Sequence, residues 1–365
     1  MTTLINRNLK EDADIRYYLS ALPLLSQDYS GINPFWDEIL KEFKSLLLNC
    51  KSDSFKTFEV EILIRKLNSA PNTGYLLEPL RENSSLSDEL NFKKALKLSK
   101  RLKKRPWNLT YKLGIQDHFF PKAIYEHAIG LAYLKSCNLL KSYIEFLDSL
   151  SIKSNYITTR YFSYLYILES LINEHYHKDD DIDILEIGSG SANLALFLKK
   201  RLKITRYFFV DLPEMILLAI YAMKSYFYEK NFCILDSAKK VNDISNSDLI
   251  FVPAQFVHLI PQRAANVTLN THSFQEMDKN VRDNYFTEIY RICRKNSIFF
   301  NVNWFQKKMT RLDGDTYDNN PLQYPYTKTS RILIWEEDPF QGYLRRVFNY
   351  KNTTSLSILY AGLFE

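Results

Sequence analysis

Asp183-Ile-Leu-Glu-Ile-Gly-Ser-Gly-Ser-Ala-Asn-Leu-Ala-Leu-Phe-Leu198 is the stretch on which the reading of the chain turns. An apolar, β-branched run stops at a pair of glycines and resumes with helical patterning. A buried parallel strand reads this way when it turns tightly into a helix whose N-terminus faces a ligand. Glycine at 188 and 190 lets the backbone take positive φ and approach a bound molecule with no Cβ in the way. A dinucleotide fingerprint needs its third glycine at the position of Asn193, so the spacing argues against that ligand. A glycine-bearing turn with no ligand is the plain alternative, because short glycine motifs recur by chance.

Strands and helices alternate outward from this turn. Strand Ile182–Ile187 and a helix over 192–202 lead to a second strand, Ile204–Val210, which closes on Asp211. Pro213 suits a first helical position and Glu214 the positive end of a helix dipole, so a long apolar helix is expected to Tyr228. Asp211 stands 21 residues beyond Gly190 at the end of the neighbouring strand. Nucleoside-binding α/β sheets keep an acid there for the ribose hydroxyls; capping the helix is its simpler role.

Phe232–Leu235 and Leu249–Val252 compete for the third strand. The second is more apolar and ends in Pro253-Ala-Gln-Phe256, a loop suited to cover an adenine. Ala265–Asn270 reads as the fourth strand and Ser297–Asn303 as the fifth. The helix between them is capped by Asp278 and carries Val281, Tyr285, Ile289 and Ile292 on one face. The pattern predicts an α/β fold, a Rossmann-like, doubly wound, mostly parallel sheet. Upstream, Tyr161, Leu165, Leu168 and Ile172 share one helical face leading into the motif strand. Downstream come an acidic stretch, 313–320, read as a loop over the substrate, and strand-like runs at 331–335, 344–350 and 355–359.

The first 155 residues read as helical, with periodic segments at 33–44, 58–67, 89–102, 122–135 and 139–150 and a loop over 68–87. The expected organisation is an accessory or lid domain, 1–155, followed by the sheet domain, 156–365. The accessory helices would act as a lid or substrate-selecting wall, and a homodimer surface is a candidate role.

Composition fits a soluble globular protein, with 46% hydrophobic and 25% charged residues. The 48 basic and 42 acidic residues give a net charge of +6. Eight basic residues and no acidic one fall within 93–105. Such a run can touch an anionic lipid, nucleic acid or a phosphorylated substrate; lacking interleaved aromatics, it reads more simply as a solvated helix face, and no nucleic-acid partner is expected. Four cysteines, none in a C-x-x-C pair, read as reduced buried thiols of a cytoplasmic protein. No run is long and apolar enough for a membrane span, and the start lacks a signal-peptide pattern. The His175–Asp181 cluster precedes the first strand, at the wrong end of the sheet for chemistry, so it reads as a connector and no metal is expected. Four N-x-S/T sequons, at 83, 108, 266 and 352, carry no weight.

Ligands of open α/β sheets lie beyond the carboxyl ends of the strands. Gly188–Gly190, Asp211, Pro253–Phe256, Asn270–Glu276 and Asn303-Trp304 should therefore converge. Glu186-x-Gly188-x-Gly190 resembles motif I of S-adenosylmethionine-dependent methyltransferases, with Ala192 in place of the third glycine. Together with Asp211-Leu-Pro-Glu214, Asn270-Thr-His-Ser-Phe-Gln-Glu-Met277 and Phe299-Phe-Asn-Val-Asn-Trp304, it looks like the sugar O-methyltransferase family of bacterial surface-polysaccharide pathways. The resemblance runs from about Arg160 to the C-terminus.

That resemblance implies a seven-stranded sheet and S-adenosylmethionine held by Glu186, Gly188, Ser189, Gly190, Asp211, Leu212, Gln255 and Asn270. It implies methyl transfer to a hydroxyl of a sugar, nucleotide-sugar or glycan acceptor. An alcohol is a poor nucleophile at neutral pH, so a base should take its proton; His272 and Glu276 are the candidates. Asn303, Trp304 and Tyr324 would meet the acceptor, and aromatic residues there can also face a sulfonium or simply pack in the core. Two other functions compete: an NAD-dependent nucleotide-sugar oxidoreductase on the same sheet, and a catalytically inactive partner subunit.

Overall fold

The computed structural model describes residues 13–27, 127, 130–152, 154–305, 307–310, 316–348 and 356–365. The helices expected over 33–44, 58–67 and 89–102, the loop at 68–87 and the basic run 93–105 lie outside these residues. The described residues fall into two compact units. The larger gathers helix α1 (Ala13–Gln27), the chain from Glu169 to Asp338 and the last strand.

Its sheet is built from β1 (Asp183–Ile187), β2 (Arg206–Asp211), β3 (Phe232–Ile234), β4 (Leu249–Pro253), β5 (Ala265–Thr271), β6 (Cys293–Trp304), β9 (Thr329–Glu337) and β10 (Ser357–Phe364). A separate hairpin pairs β7 (Lys307–Thr310) with β8 (Thr316–Asn319). The sheet order is β3-β4-β2-β1-β5-β6-β10-β9, parallel through β6 and antiparallel at β10 and β9. Every residue of β1, β4 and β5 is buried, as a sheet covered on both faces requires.

The sheet has eight strands, not seven. Both runs that compete for the third position form strands. Tyr207, Phe209, Phe251 and Phe232 stack across β2, β4 and β3 with successive centroids 4.5, 4.7 and 5.7 Å apart. Phe232 at the end of this aromatic ladder anchors a strand of three residues that its own length would leave marginal. The link from β3 to β4 is a 3-10 segment, Ala238–Asn246, in place of an α-helix.

Helices α4 (Asn193–Arg201), α5 (Pro213–Phe227) and α6 (Lys279–Ile292) follow β1, β2 and β5. Asp278 caps α6 by accepting from the Lys279 N–H, as its position predicts. Helix α1 packs on α5: Tyr18 and Leu22 are fully buried, and the Tyr18 phenol donates to the Pro213 carbonyl at 2.8 Å. Helix α1 is thus part of the sheet unit.

At the amino end of the sheet, buried Asp183 is held by Arg206, at 2.9 and 2.7 Å, and by Arg294 at 2.5 Å. Asn266, the asparagine of a sequon, is buried there and ties Asp183 N–H to the Asp181 carbonyl.

The smaller unit holds α2 (Leu140–Leu150), the first part of α3 (Tyr156–His175) and α7 (Pro339–Phe348). Tyr143 shares hydrogen bonds with Ser154 and Thr158, each 2.7 Å, and Asn155 and Thr158 cap α3 reciprocally at 2.8 Å. Helix α7 corrects the strand expected over 344–350. Its aromatic and branched residues suit a strand, but Phe340, Tyr343, Leu344 and Val347 recur at helical spacing behind Pro339. The stretch 313–320 is likewise more than a loop, since 316–319 is strand β8. Cys233 and Cys293 are buried free thiols, whereas Cys137 is exposed, against expectation. No described helix is long and apolar enough to cross a membrane.

Candidate active site

The turn after β1 takes three left-handed residues, Gly188 (φ 76°), Gly190 (φ 54°) and Ala192 (φ 60°). Alanine at 192 therefore adopts the conformation that a third glycine would hold freely, at a cost of about 1–2 kcal/mol. Asp211, at the end of β2, clamps this turn. Its carboxylate accepts from Gly190 N–H at 2.6 Å and from Leu212 N–H at 2.7 Å.

Enclosure pushes the Asp211 carboxyl up to about 7 against the pull of those two N–H groups, and the charges of Glu214 and Glu276 add to the rise. Glu276, beyond β5, is thus close enough for its charge to be felt at the end of β2. Glu186 lies behind the turn, buried, accepting from the Tyr207 phenol at 2.7 Å. Burial lifts its pKa to about 8, the phenol opposes that, and Asp211 adds to it.

Two residues expected at the ligand hold buried polar atoms with no hydrogen-bond partner: Ser189 Oγ and Gln255 Oε1. Gln255 spends its Nε2 on the Leu25 carbonyl of α1, at 2.9 Å. Strand order puts Gln255, Asp211, the glycine turn and the 271–277 loop at the carboxyl ends of four adjacent strands, β4, β2, β1 and β5.

The 271–277 loop is fastened by a buried amide network. Asn270 Nδ2 donates to Ile187 O (2.8 Å) and Ser273 Oγ (2.6 Å), while its Oδ1 accepts from Asn303 Nδ2 (2.8 Å). Asn303 also donates to Asn301 Oδ1 (2.7 Å) and accepts from Gln275 N–H (3.0 Å). Asn301 donates in turn to the Tyr326 phenol at 2.9 Å. Gln275 Oε1 accepts from Trp304 N–H (2.7 Å). From the other side Asn319 donates to Phe274 O (2.6 Å) and accepts from Arg282 Nη1 (2.9 Å) and the Tyr324 phenol (2.8 Å).

Asn270, Asn303 and Tyr324, expected at the cofactor or acceptor, are thus buried with polar groups engaged by protein partners. His272 and Glu276 are partly exposed on the loop they hold, as is Trp304 at the end of β6. His272 adopts φ 61° while its N–H continues the ladder to Val302 O at 2.7 Å. Left-handed backbone at a histidine is uncommon and marks where the chain leaves the sheet. Sequence reasoning missed Ser273, Asn319, Arg282 and the α1 contacts. A serine, an arginine and tyrosines are ordinary surface and core residues until their distant partners are known.

No family model matches the chain, and no curated protein does. It is similar to several solved structures. One is the 1,6-didemethyltoxoflavin-N1-methyltransferase of Burkholderia thailandensis, with bound 1,6-didemethyltoxoflavin and S-adenosylhomocysteine: 12% identity over 64% of this chain and 88% of that one, TM-score 0.39. A second is a phosphoethanolamine N-methyltransferase 2 from Haemonchus contortus, with phosphomonomethylethanolamine and S-adenosylhomocysteine: 13% identity, 60% and 59% coverage, TM-score 0.36. A third is an S-adenosylmethionine-dependent methyltransferase from Mesorhizobium loti: 8% identity, 53% and 96% coverage, TM-score 0.30. Identities and scores at this level say nothing about which molecule this chain acts on.

Proposed function

We propose that this chain is an S-adenosylmethionine-dependent methyltransferase that methylates a sugar hydroxyl in the cytoplasm, on a free, nucleotide-linked or glycan acceptor. One observation carries the reading. Ser189 Oγ and Gln255 Oε1 are buried without partners on either side of Asp211 in the strand order. An unmet buried polar atom costs about 1–3 kcal/mol, and a nucleoside ligand rich in hydroxyl and amine groups removes that cost. The residues therefore fit the cofactor. When bound, it supplies an electrophilic methyl group on a sulfonium.

The chain's own residues do the rest. Asp211 has lone pairs left after its two N–H bonds and accepts the ribose hydroxyls. Ser189 and the glycine-turn backbone meet the amino-acid end, and Gln255 the base. Glu276 takes the proton from the acceptor hydroxyl, with His272 orienting it or sharing that work; such a base contributes about 10²–10⁴ in rate. Asn270 and Asn303 hold the loop that bears both, so the oxygen, carbon and sulfur stay in line. Trp304 offers a ring face to the acceptor. The choice of a sugar acceptor rests on the likeness of 270–277 and 299–304 to the sugar O-methyltransferases.

The test is calorimetric titration with S-adenosylmethionine and with NAD, then incubation with labelled S-adenosylmethionine and a panel of nucleotide sugars and glycans. Binding of the first and transfer to a sugar support the reading. Glu276→Gln and His272→Ala should then lose transfer while binding the cofactor as wild type does. Tight NAD binding without S-adenosylmethionine binding points to the oxidoreductase instead.

A further inference from the structure

Glu276 ends a short 3-10 turn, Phe274–Glu276, and the carbonyls on either side of it are held by one side chain. Asn319, the last residue of β8, donates through Nδ2 to Phe274 O at 2.6 Å and to Met277 O at 3.4 Å. Its Oδ1 accepts from Arg282 Nη1 of α6 at 2.9 Å and from the Tyr324 phenol at 2.8 Å. Those two donors also meet each other, the guanidinium carbon standing 4.5 Å from the Tyr324 ring centroid. Asn319, Arg282 and Tyr324 are all buried, and all belong to the larger unit with the turn they face.

These four partners call for an amide. Backbone carbonyls only accept and a guanidinium only donates, so the Asn319 amide fits in one orientation, with its oxygen toward Arg282. The bond from the guanidinium is charge-assisted and stronger than a neutral one, which makes Arg282 the group that aims the amide. An ionised aspartate would suit Arg282 but has no proton for Phe274 O or Met277 O. The hairpin β7–β8 lies between Trp304 and Asn319 in the chain, and both ends of that excursion are tied to the same turn. Trp304 N–H reaches Gln275 Oε1 at 2.7 Å, and Asn319 takes the carbonyls that flank Glu276. A side chain on so short a turn follows its backbone, and a misplacement of about 1 Å at a reacting group costs about 10²-fold in rate. We infer that Asn319, aimed by Arg282, is a positioning residue that fixes where Glu276 stands. Its kinetic consequence rests on the reading of Glu276 as the base of a methyl transfer; its hold on the turn does not.

The experiment compares the full chain as wild type, Asn319→Asp and Asn319→Ala by melting, S-adenosylhomocysteine affinity, acceptor kinetics and amide exchange over 273–278. Asn319→Asp sets a carboxylate against Arg282 while taking the donor from both carbonyls, so it separates stability from positioning. Its melting temperature should hold or rise and its S-adenosylhomocysteine affinity stay within threefold of wild type. Its kcat should fall at least tenfold with the acceptor KM within threefold, a split that points to the transition state and not to ground-state binding. Amide exchange over 273–278 should quicken at least tenfold in both variants, with exchange in β1 unchanged. Wild-type kcat in Asn319→Asp overturns the inference, as does a fall in kcat matched by equal losses of melting temperature and cofactor affinity. Failure of the wild type to methylate any acceptor counts instead against the methyltransferase reading. Exchange then decides alone: quickening confined to 273–278 keeps Asn319 as the holder of the turn, and unchanged exchange overturns that role. Should Asn319→Ala not fold, Asn319→Asp carries the same comparison.

Discussion

The side chain of Ser273 fills the space where a Cβ on Gly188 would stand, its Oγ and Cβ lying 2.1 and 2.2 Å from that point. The turn after β1 and the loop after β5 are fitted face to face through this one contact, which Ser273 Oγ reinforces by donating to Ile187 O at 3.2 Å. Gly188→Ala should therefore fail twice, by strain at φ 76° of about 1–2 kcal/mol and by collision with Ser273. Adding Ser273→Gly removes the collision and leaves the strain. Urea denaturation should show the double variant recovering part of the loss. A single Gly188→Ala variant as stable as wild type would contradict the fit.

Asp211 links that turn to pH. Its carboxyl is pushed up to about 7, chiefly by burial and further by Glu214 and Glu276, with the Gly190 and Leu212 N–H groups opposing. A carboxylate accepts two hydroxyl donors, whereas the protonated acid gives up part of that capacity. Affinity for S-adenosylhomocysteine should thus climb as pH rises from 6 to 8, by at most about tenfold for one group of this pKa. Asp211→Asn should bind weakly and lose the slope. Calorimetric titrations across that range check it, and a wild-type affinity flat with pH would remove Asp211 from the ligand.

The glycine turn and its acid were legible in the sequence because a strand that bends at positive φ calls for glycine, and because apolar runs show where strands end. Ser273 was not, since Ile187 and Ser273 are 86 positions apart and only the β1–β5 pairing brings them together. The same limit hid α1, where Tyr18 and Pro213 meet across 195 positions. Asn270 and Asn303 were expected at the ligand, but a ligand contact and a buried network leave the same mark in a sequence. Asn270 and Asn301 are register partners in adjacent strands, which is what makes a network of them. Phe232–Leu235 and Leu249–Val252 read as rivals for one position because three residues, Phe232–Ile234, carry too little alternation to stand as a strand of their own, and it is a cross-strand aromatic ladder that holds them.

Asn303 tests the network directly. It is fully buried, donates to Asn270 and Asn301, and accepts from Gln275 N–H. Asn303→Ala leaves that N–H and the Asn301 amide oxygen unmet and takes from the Asn270 oxygen one of its two donors, the Phe274 N–H remaining, a loss of about 3 kcal/mol. Because Gln275 precedes Glu276, the expected kinetic signature is a fall in kcat with cofactor affinity within a few-fold of wild type. Asn303→Asp should do no better, since it sets a carboxylate against two amide oxygens. Denaturation with steady-state kinetics separates the effects; loss of stability with kcat untouched would show the network to be scaffolding alone.

Glu186 gives the remaining prediction, and its sign is fixed by linkage. Burial raises its pKa to about 8, above the ordinary value of about 4.3 that the unfolded chain restores. Between those values the native state holds a proton that the unfolded state has released. Stability contributed by this group is therefore full near pH 4, falls as pH rises through that window, and is fully lost above about 8. Asp211 slopes the same way, though only up to about 7. Glu186→Gln keeps an oxygen for the Tyr207 phenol and cannot ionise. Its melting temperature should match wild type near pH 4.5 and exceed it at pH 8, with the difference growing steadily between. Thermal denaturation of both proteins across that range is the measurement. A variant less stable than wild type at pH 8 would mean that Glu186 is ionised and usefully paired in the native state, which its enclosure behind the glycine turn argues against.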